Sequence, residues 1–520
     1  MMRFRKILFY TLVAVYLVLC PLTILYALGY VLKPGTEHGI TRTGVISIST
    51  VPPGATVYVG RSRYTEVTPT ILHDLLPGSY EITLWLKGHA SWIRRVPVES
   101  KQATVLERIL LLPDPLTSRR LLLTAFDQLI PLPGSPLLVV GDGPRLGDLR
   151  VYHWKQQEER LLVASDSPWA SARLLNVWTM PKSTVVLARV DTRNGVRMLW
   201  FDAKDKPVQF IDLSDLIPDR PDMVMWHAGE RYRLFALREG RVSRIDVAKR
   251  AVVPNVLDGA RALGVIGRSL YVLTEESALF RVDAEGRAKA VGMEEPAFMR
   301  ALRGLRGSIE IVAATDALMA FRAEGGGLVV SRPPYRLTEQ GIRGVQWSED
   351  HDLALCWQRD RIGLIEPAQE LVPGTTATAQ EGDQDAVLRA RRVLGGFDIA
   401  GFDSPETPAG LTWIYANGHA IEQVFWAYHD AYILFRDDDQ VFLLERPLVG
   451  APRPIPMVRI HRHTEIAYND EAGTLYYLDP EGWLSSLQVV PRWELLPLSS
   501  LRSFDAHAEA HTDELPRGTP

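Results

Sequence analysis

Cysteine is nearly absent: Cys20 and Cys356 are the only two among 520 residues. One lies in an apolar run and the other in an expected strand, so no disulfide joins them and the fold must rest on its apolar core. A basic excess is also missing, with 58 Lys and Arg against 62 Asp and Glu and a net charge of −4. A surface without surplus cations is poorly suited to neutralising phosphates, which argues against nucleic acid as a partner. Catalytic signatures are absent as well. No Gly-x-Ser-x-Gly elbow presents a nucleophile and no His-Glu-x-x-His pair presents a metal.

The remaining suggestive clusters have plain structural readings. Gly325-Gly326-Gly327 lacks the Lys-Ser/Thr pair of a phosphate loop and reads as a hairpin turn. Asp437-Asp438-Asp439 lacks the alternation and closing glutamate of a calcium loop, and reads as a tight turn between Phe435 and Val441. His461-Arg462-His463 has no third ligand at a metal-binding spacing and reads as a solvated strand end. Cys356 beside Trp357 reads as a small buried hydrophobe. No catalytic, cofactor-binding or metal residue is therefore assigned, and the chain is expected to be a non-enzyme.

Charge is missing from one long stretch, the 26 residues from Ile7 to Leu32. A helix of that length, at about 1.5 Å per residue, exceeds a hydrocarbon core of roughly 30 Å. Arg3, Arg5 and Lys6 precede the run, which favours a cytoplasmic N-terminus and an exported body, although Lys33 weakens the asymmetry. The run is nearly twice the apolar length of a cleaved signal, about 7–15 residues. The expectation is residues 1–6 in the cytoplasm, one membrane helix over 7–32 and a linker over 33–43, in the inner membrane.

What is present in abundance is strand pattern. Val45 to Thr50, Ala55 to Val59, Tyr80 to Trp85 and Thr104 to Ile109 alternate as strands, with Val51-Pro52-Pro53-Gly54 and Leu76-Pro77-Gly78 as turns. These motifs, in this order, resemble a PEGA domain over about 44–112. Pro52-Pro53-Gly54-Ala55 matches the turn that names the family, with proline in place of glutamate. Thr68-Pro69, Leu76-Pro77-Gly78-Ser79-Tyr80 and Gly88-His89 match its other landmarks, His89 standing where the family usually has tyrosine. The resemblance implies a β-sandwich, association with the cell envelope and no catalytic residues.

From about 118 to 497 a period near 40 residues follows, each unit opening on a short apolar strand. Equivalent positions fall near Leu132, Trp178, Trp226, Ile266, Leu305, Trp347, Trp426 and Tyr468. This predicts a β-propeller of seven or eight four-stranded blades, and the even period argues against two stacked sandwiches. Trp347-Ser348-Glu349-Asp350 resembles a turn of TolB-like propellers. The four tryptophans 178, 226, 347 and 426 read as packing between blades, with a carbohydrate-stacking surface as the alternative. Spacing doubles between 347 and 426, so 373–410 is expected to be an insertion, with Leu411 to Ala416 completing the blade begun at Val345. The tail 503–520 is expected to be disordered. An all-β chain with one membrane helix implies an envelope scaffold contacting a protein or surface glycan. A propeller hydrolase or lyase acting on cell-wall glycan is the alternative, because axial catalytic residues can be scattered in sequence.

Overall fold

The computed structural model describes residues 40–366 and 411–491 apart from short breaks, and a few residues between 12 and 32. The chain divides into two compact units, the second beginning at Ser118.

The first unit is a sandwich of two sheets. A three-stranded sheet runs Thr70–Leu75, Gly44–Val51, Ala103–Leu110, and a four-stranded sheet runs Ser62–Val67, Thr56–Val59, Gly78–Trp85, Trp92–Val98. Gly44–Val51 pairs parallel with Ala103–Leu110. Alternation sends Ile46, Ile48, Val57, Ile82, Leu84 and Val96 into the shared core, each no more than 1% exposed. The strands Ser62–Val67 and Trp92–Val98 escape sequence reading because their exposed arginines and glutamate mask the pattern.

Thr68 explains why two of the turn motifs occur together. Its hydroxyl accepts the Ala55 amide at 2.9 Å, its carbonyl accepts the Gly54 amide at 2.7 Å, and its own amide donates to the Ala55 carbonyl at 2.9 Å. Gly54 sits at φ +89°, which only glycine adopts freely. Tyr80 closes the next turn by donating its hydroxyl to the Leu76 carbonyl at 2.9 Å.

The second unit contains, among the described residues, eight four-stranded antiparallel sheets. In chain order we number them blades 1 (128–161), 2 (173–212), 3 (223–258), 4 (260–290), 5 (309–338), 6 (344–415), 7 (421–459) and 8 (467–488). First strands of successive blades touch from blade 3 through blade 7, which places them innermost. Second strands such as Leu137–Gly141 and Thr474–Leu478 are buried throughout, as strands covered on both faces must be. Blade 8 holds only three strands from its own stretch. Ser118–Ala125 supplies the fourth by pairing antiparallel with Trp483–Gln488. The Tyr477 hydroxyl is 2.6 Å from that of Ser118, and Arg120 lies over the Trp483 ring. The free edge of the last sheet is thereby covered.

Leu411–Tyr415 is the fourth strand of blade 6, paired with Ile362–Ile365, as the spacing argument required. Two expectations need correction. Gly304-Leu305 does not open a blade: it follows a helix, Pro296–Arg303, and blade 5 opens at Ile309. Proline at the helix start and Phe298 and Leu302 one turn apart make that helix, whose apolar side packs on Tyr271 and Phe321. The helix expected over 7–32 does not reach Leu32. Helical residues occur between Leu12 and Thr23, but Tyr30–Leu32 is a strand paired with Ile40–Arg42. Aromatic and β-branched residues there suit a pleated surface. Among the described residues no helix is long and apolar enough to cross a membrane. Most of 7–32, with 1–6, 373–410 and 503–520, lies outside the described residues.

Candidate functional site

The inner strands of blades 1, 2, 7 and 8 border a cavity of about 600 Å³. Its apolar wall comes from Ile130, Leu174 and Phe425 and from the rings of Trp154, Tyr468 and Tyr476. Trp154 and Tyr476 are tilted neighbours, 6.0 Å between centroids.

Most polar groups of the wall are already engaged in holding the backbone. Gln423 accepts the Ile466 amide at 2.8 Å and donates to the Ile466 carbonyl at 3.5 Å, tying blade 7 to blade 8. Gln128 donates to the Gly143 carbonyl. Asn176 accepts the Val177 amide at 2.9 Å, and Asn469 accepts the Ala472 amide at 2.7 Å. Glu465 has no such tie. It borders the cavity as a solvent-exposed residue, and partial desolvation raises its pKa against an offset from Arg436. Arg436 itself is buried and spends its guanidinium on Glu422 and the Thr464 carbonyl.

A second group of ionisable residues sits on the turns between first and second strands of blades 6, 7 and 8. Glu349 follows the first strand of blade 6, Tyr428-His429-Asp430 that of blade 7, and Asp470 that of blade 8. The Glu349 amide donates to Asp430 Oδ2 at 2.7 Å, and His429 Nδ1 lies 3.8 Å from Glu349 Oε2. Burial, then repulsion from Glu349 and Asp470, raises the Asp430 pKa. Burial raises that of Asp470 too, with His429 opposing. Tyr428, His429 and Asp430 all have φ between +50° and +59°, a left-handed run without glycine. No group of three or more His, Cys, Asp or Glu among the described residues is placed to hold a metal ion.

Residues set aside on sequence grounds take structural places. His461 donates its amide to Leu478 and its carbonyl accepts the Thr464 hydroxyl. Asp437 is buried and accepts the His419 and Ala420 amides, at 2.9 and 2.6 Å. Gly326 turns between Leu318–Ala323 and Leu328–Val330. Cys356 is fully buried, which pushes its thiol up to about 12. Trp226, Trp347 and Trp426 are each less than 10% exposed and Trp178 packs beside the core of blades 2 and 3, so packing accounts for them. Glu465 and Asp430 carry no sequence signal, because what sets them apart is their place beside residues of other blades.

The sandwich geometry and its turns meet an independent finding over nearly the same residues. Residues 43–110 match the PEGA domain model. This unit is a PEGA domain. Over 69–72% of the chain, solved structures including a β-propeller domain are similar. The β-propeller domain of Cps50 (Swd1) from Myceliophteria thermophila shares 11% identity over 72% of this chain and 98% of that one, with a TM-score of 0.37. The computationally designed Ika8 protein shares 11% over 72% and 98%, with a TM-score of 0.40. PorZ, a bacterial surface component of the type-IX secretion system of Porphyromonas gingivalis, shares 12% over 69% and 42%, with a TM-score of 0.34. No curated protein matches the chain.

Proposed function

We propose that the protein is a non-catalytic binding scaffold of the cell envelope, held to the inner membrane by its N-terminal uncharged run with the body outside the cytoplasm. The propeller cavity receives part of an envelope partner. The observation that carries this reading is the cavity itself: about 600 Å³, aromatic and aliphatic, with most of its amides already committed to the backbone. That is the make-up of a recognition pocket. A photo-crosslinking residue at Phe425 should trap a defined envelope protein in intact cells, whereas one at exposed Glu285 should not. Equal or absent trapping at both positions counts against the reading.

One observation favours a glycan hydrolase or lyase instead. Asp430 and Asp470 have raised pKa values beside Glu349, a pattern shared with acid–base pairs. Long incubation of purified protein with cell-wall and surface glycans decides: turnover that vanishes in Asp470→Asn would establish the enzyme.

A further inference from the structure

We propose that the cavity takes a cationic side chain, the lysine or arginine of a partner polypeptide. The proposal rests on the binding reading above and gives it a chemistry. The cavity wall includes no Lys, Arg or His, and one carboxylate, Glu465. Glu465 has no hydrogen bond or ion pair with any described residue, since the guanidinium nearest in influence, Arg436, is taken by Glu422 and Thr464.

A ligand that covers this carboxylate without neutralising it strips its water and leaves a buried charge unpaired, which disfavours neutral sugars. An anionic ligand adds repulsion to that cost. An ammonium or guanidinium group removes it. The aromatic wall strengthens the preference, because ring faces attract cations within about 6 Å. Trp154 already does so with this chain's own Lys155, whose Nζ is 5.1 Å from the ring centroid. One side chain fills only part of about 600 Å³.

The test uses the full chain and three probes: the acetylated, amidated pentapeptide Ala-Ala-Lys-Ala-Ala, its norleucine counterpart, and chitotriose. Ligand-observed NMR titrations should show the lysine peptide binding at least about tenfold better than the norleucine one. That preference should disappear in Glu465→Gln and persist in Glu285→Gln. Equal affinity of the two peptides, or tighter binding of chitotriose, overturns the proposal. The wild-type preference is readable even if Glu465→Gln fails to fold. If lysine preference is absent while the crosslinker at Phe425 still traps a partner, only the cation assignment falls. If both are silent, the binding reading falls with it.

Discussion

The indole N–H of Trp426 donates to the carbonyl of Gln346 at 3.2 Å, joining the innermost strand of blade 7 to that of blade 6. Trp347 repeats the bond one blade earlier, donating to Val312 at 3.1 Å. The recurring tryptophans are thus cross-blade ties as well as packing volume. Trp226 occupies the equivalent place, but its buried indole nitrogen has no hydrogen-bond partner.

This difference gives a stability prediction. Trp426→Phe should cost about 1–3 kcal/mol, because it removes volume and leaves the Gln346 carbonyl unsatisfied. Trp226→Phe should cost less, since it removes a buried donor that bonds nothing. Denaturant melts of the two variants compare them, and equal losses would show that volume alone matters.

In the PEGA domain the Thr68 hydroxyl lies between Thr50 and the Ala55 amide. Thr68→Val keeps the shape and removes the oxygen, leaving that amide buried without a partner. A loss of about 1–3 kcal/mol is expected, with Thr68→Ser recovering most of it. Hydrogen exchange at the Ala55 amide reports the site directly, and should quicken in the valine variant alone.

Asp430 offers a pH test. Its folded pKa is raised by burial and by Glu349 and Asp470. The folded state therefore binds its proton more tightly than the unfolded chain does, and stability falls as pH rises through the folded value. Asp430→Asn keeps an oxygen for the Glu349 amide and removes the charge. It should raise the melting temperature by about 1–3 °C at pH 7 and by less at pH 4. A variant equally stabilised at both pH values would assign the effect to something other than charge.

Local signals make much of this protein legible in its sequence. The PEGA turns are short-range chemistry: a proline-rich turn, a glycine at positive φ and a tyrosine reaching back four residues. The propeller period is legible for the same reason, since each antiparallel blade is built mainly from strands adjacent in sequence. Even Leu411–Tyr415 was readable across a long insertion, because blade 6 lacked a fourth strand. The helix Pro296–Arg303 was overlooked because it spans only two turns inside a strong strand repeat.

Other features exist only in three dimensions. Closure of blade 8 joins Ser118 to Tyr477 across 359 positions, and no local pattern marks an ordinary alternating strand as the missing edge. Blade number follows from that closure. The cavity is likewise a product of assembly, drawing its wall from four blades, so Glu465 looks like any other glutamate in the sequence. Hydrophobic alternation and turn chemistry act over a few residues and determine which strands form. Enclosure, charge isolation and edge pairing depend on segments hundreds of residues apart, and only the tertiary structure decides them.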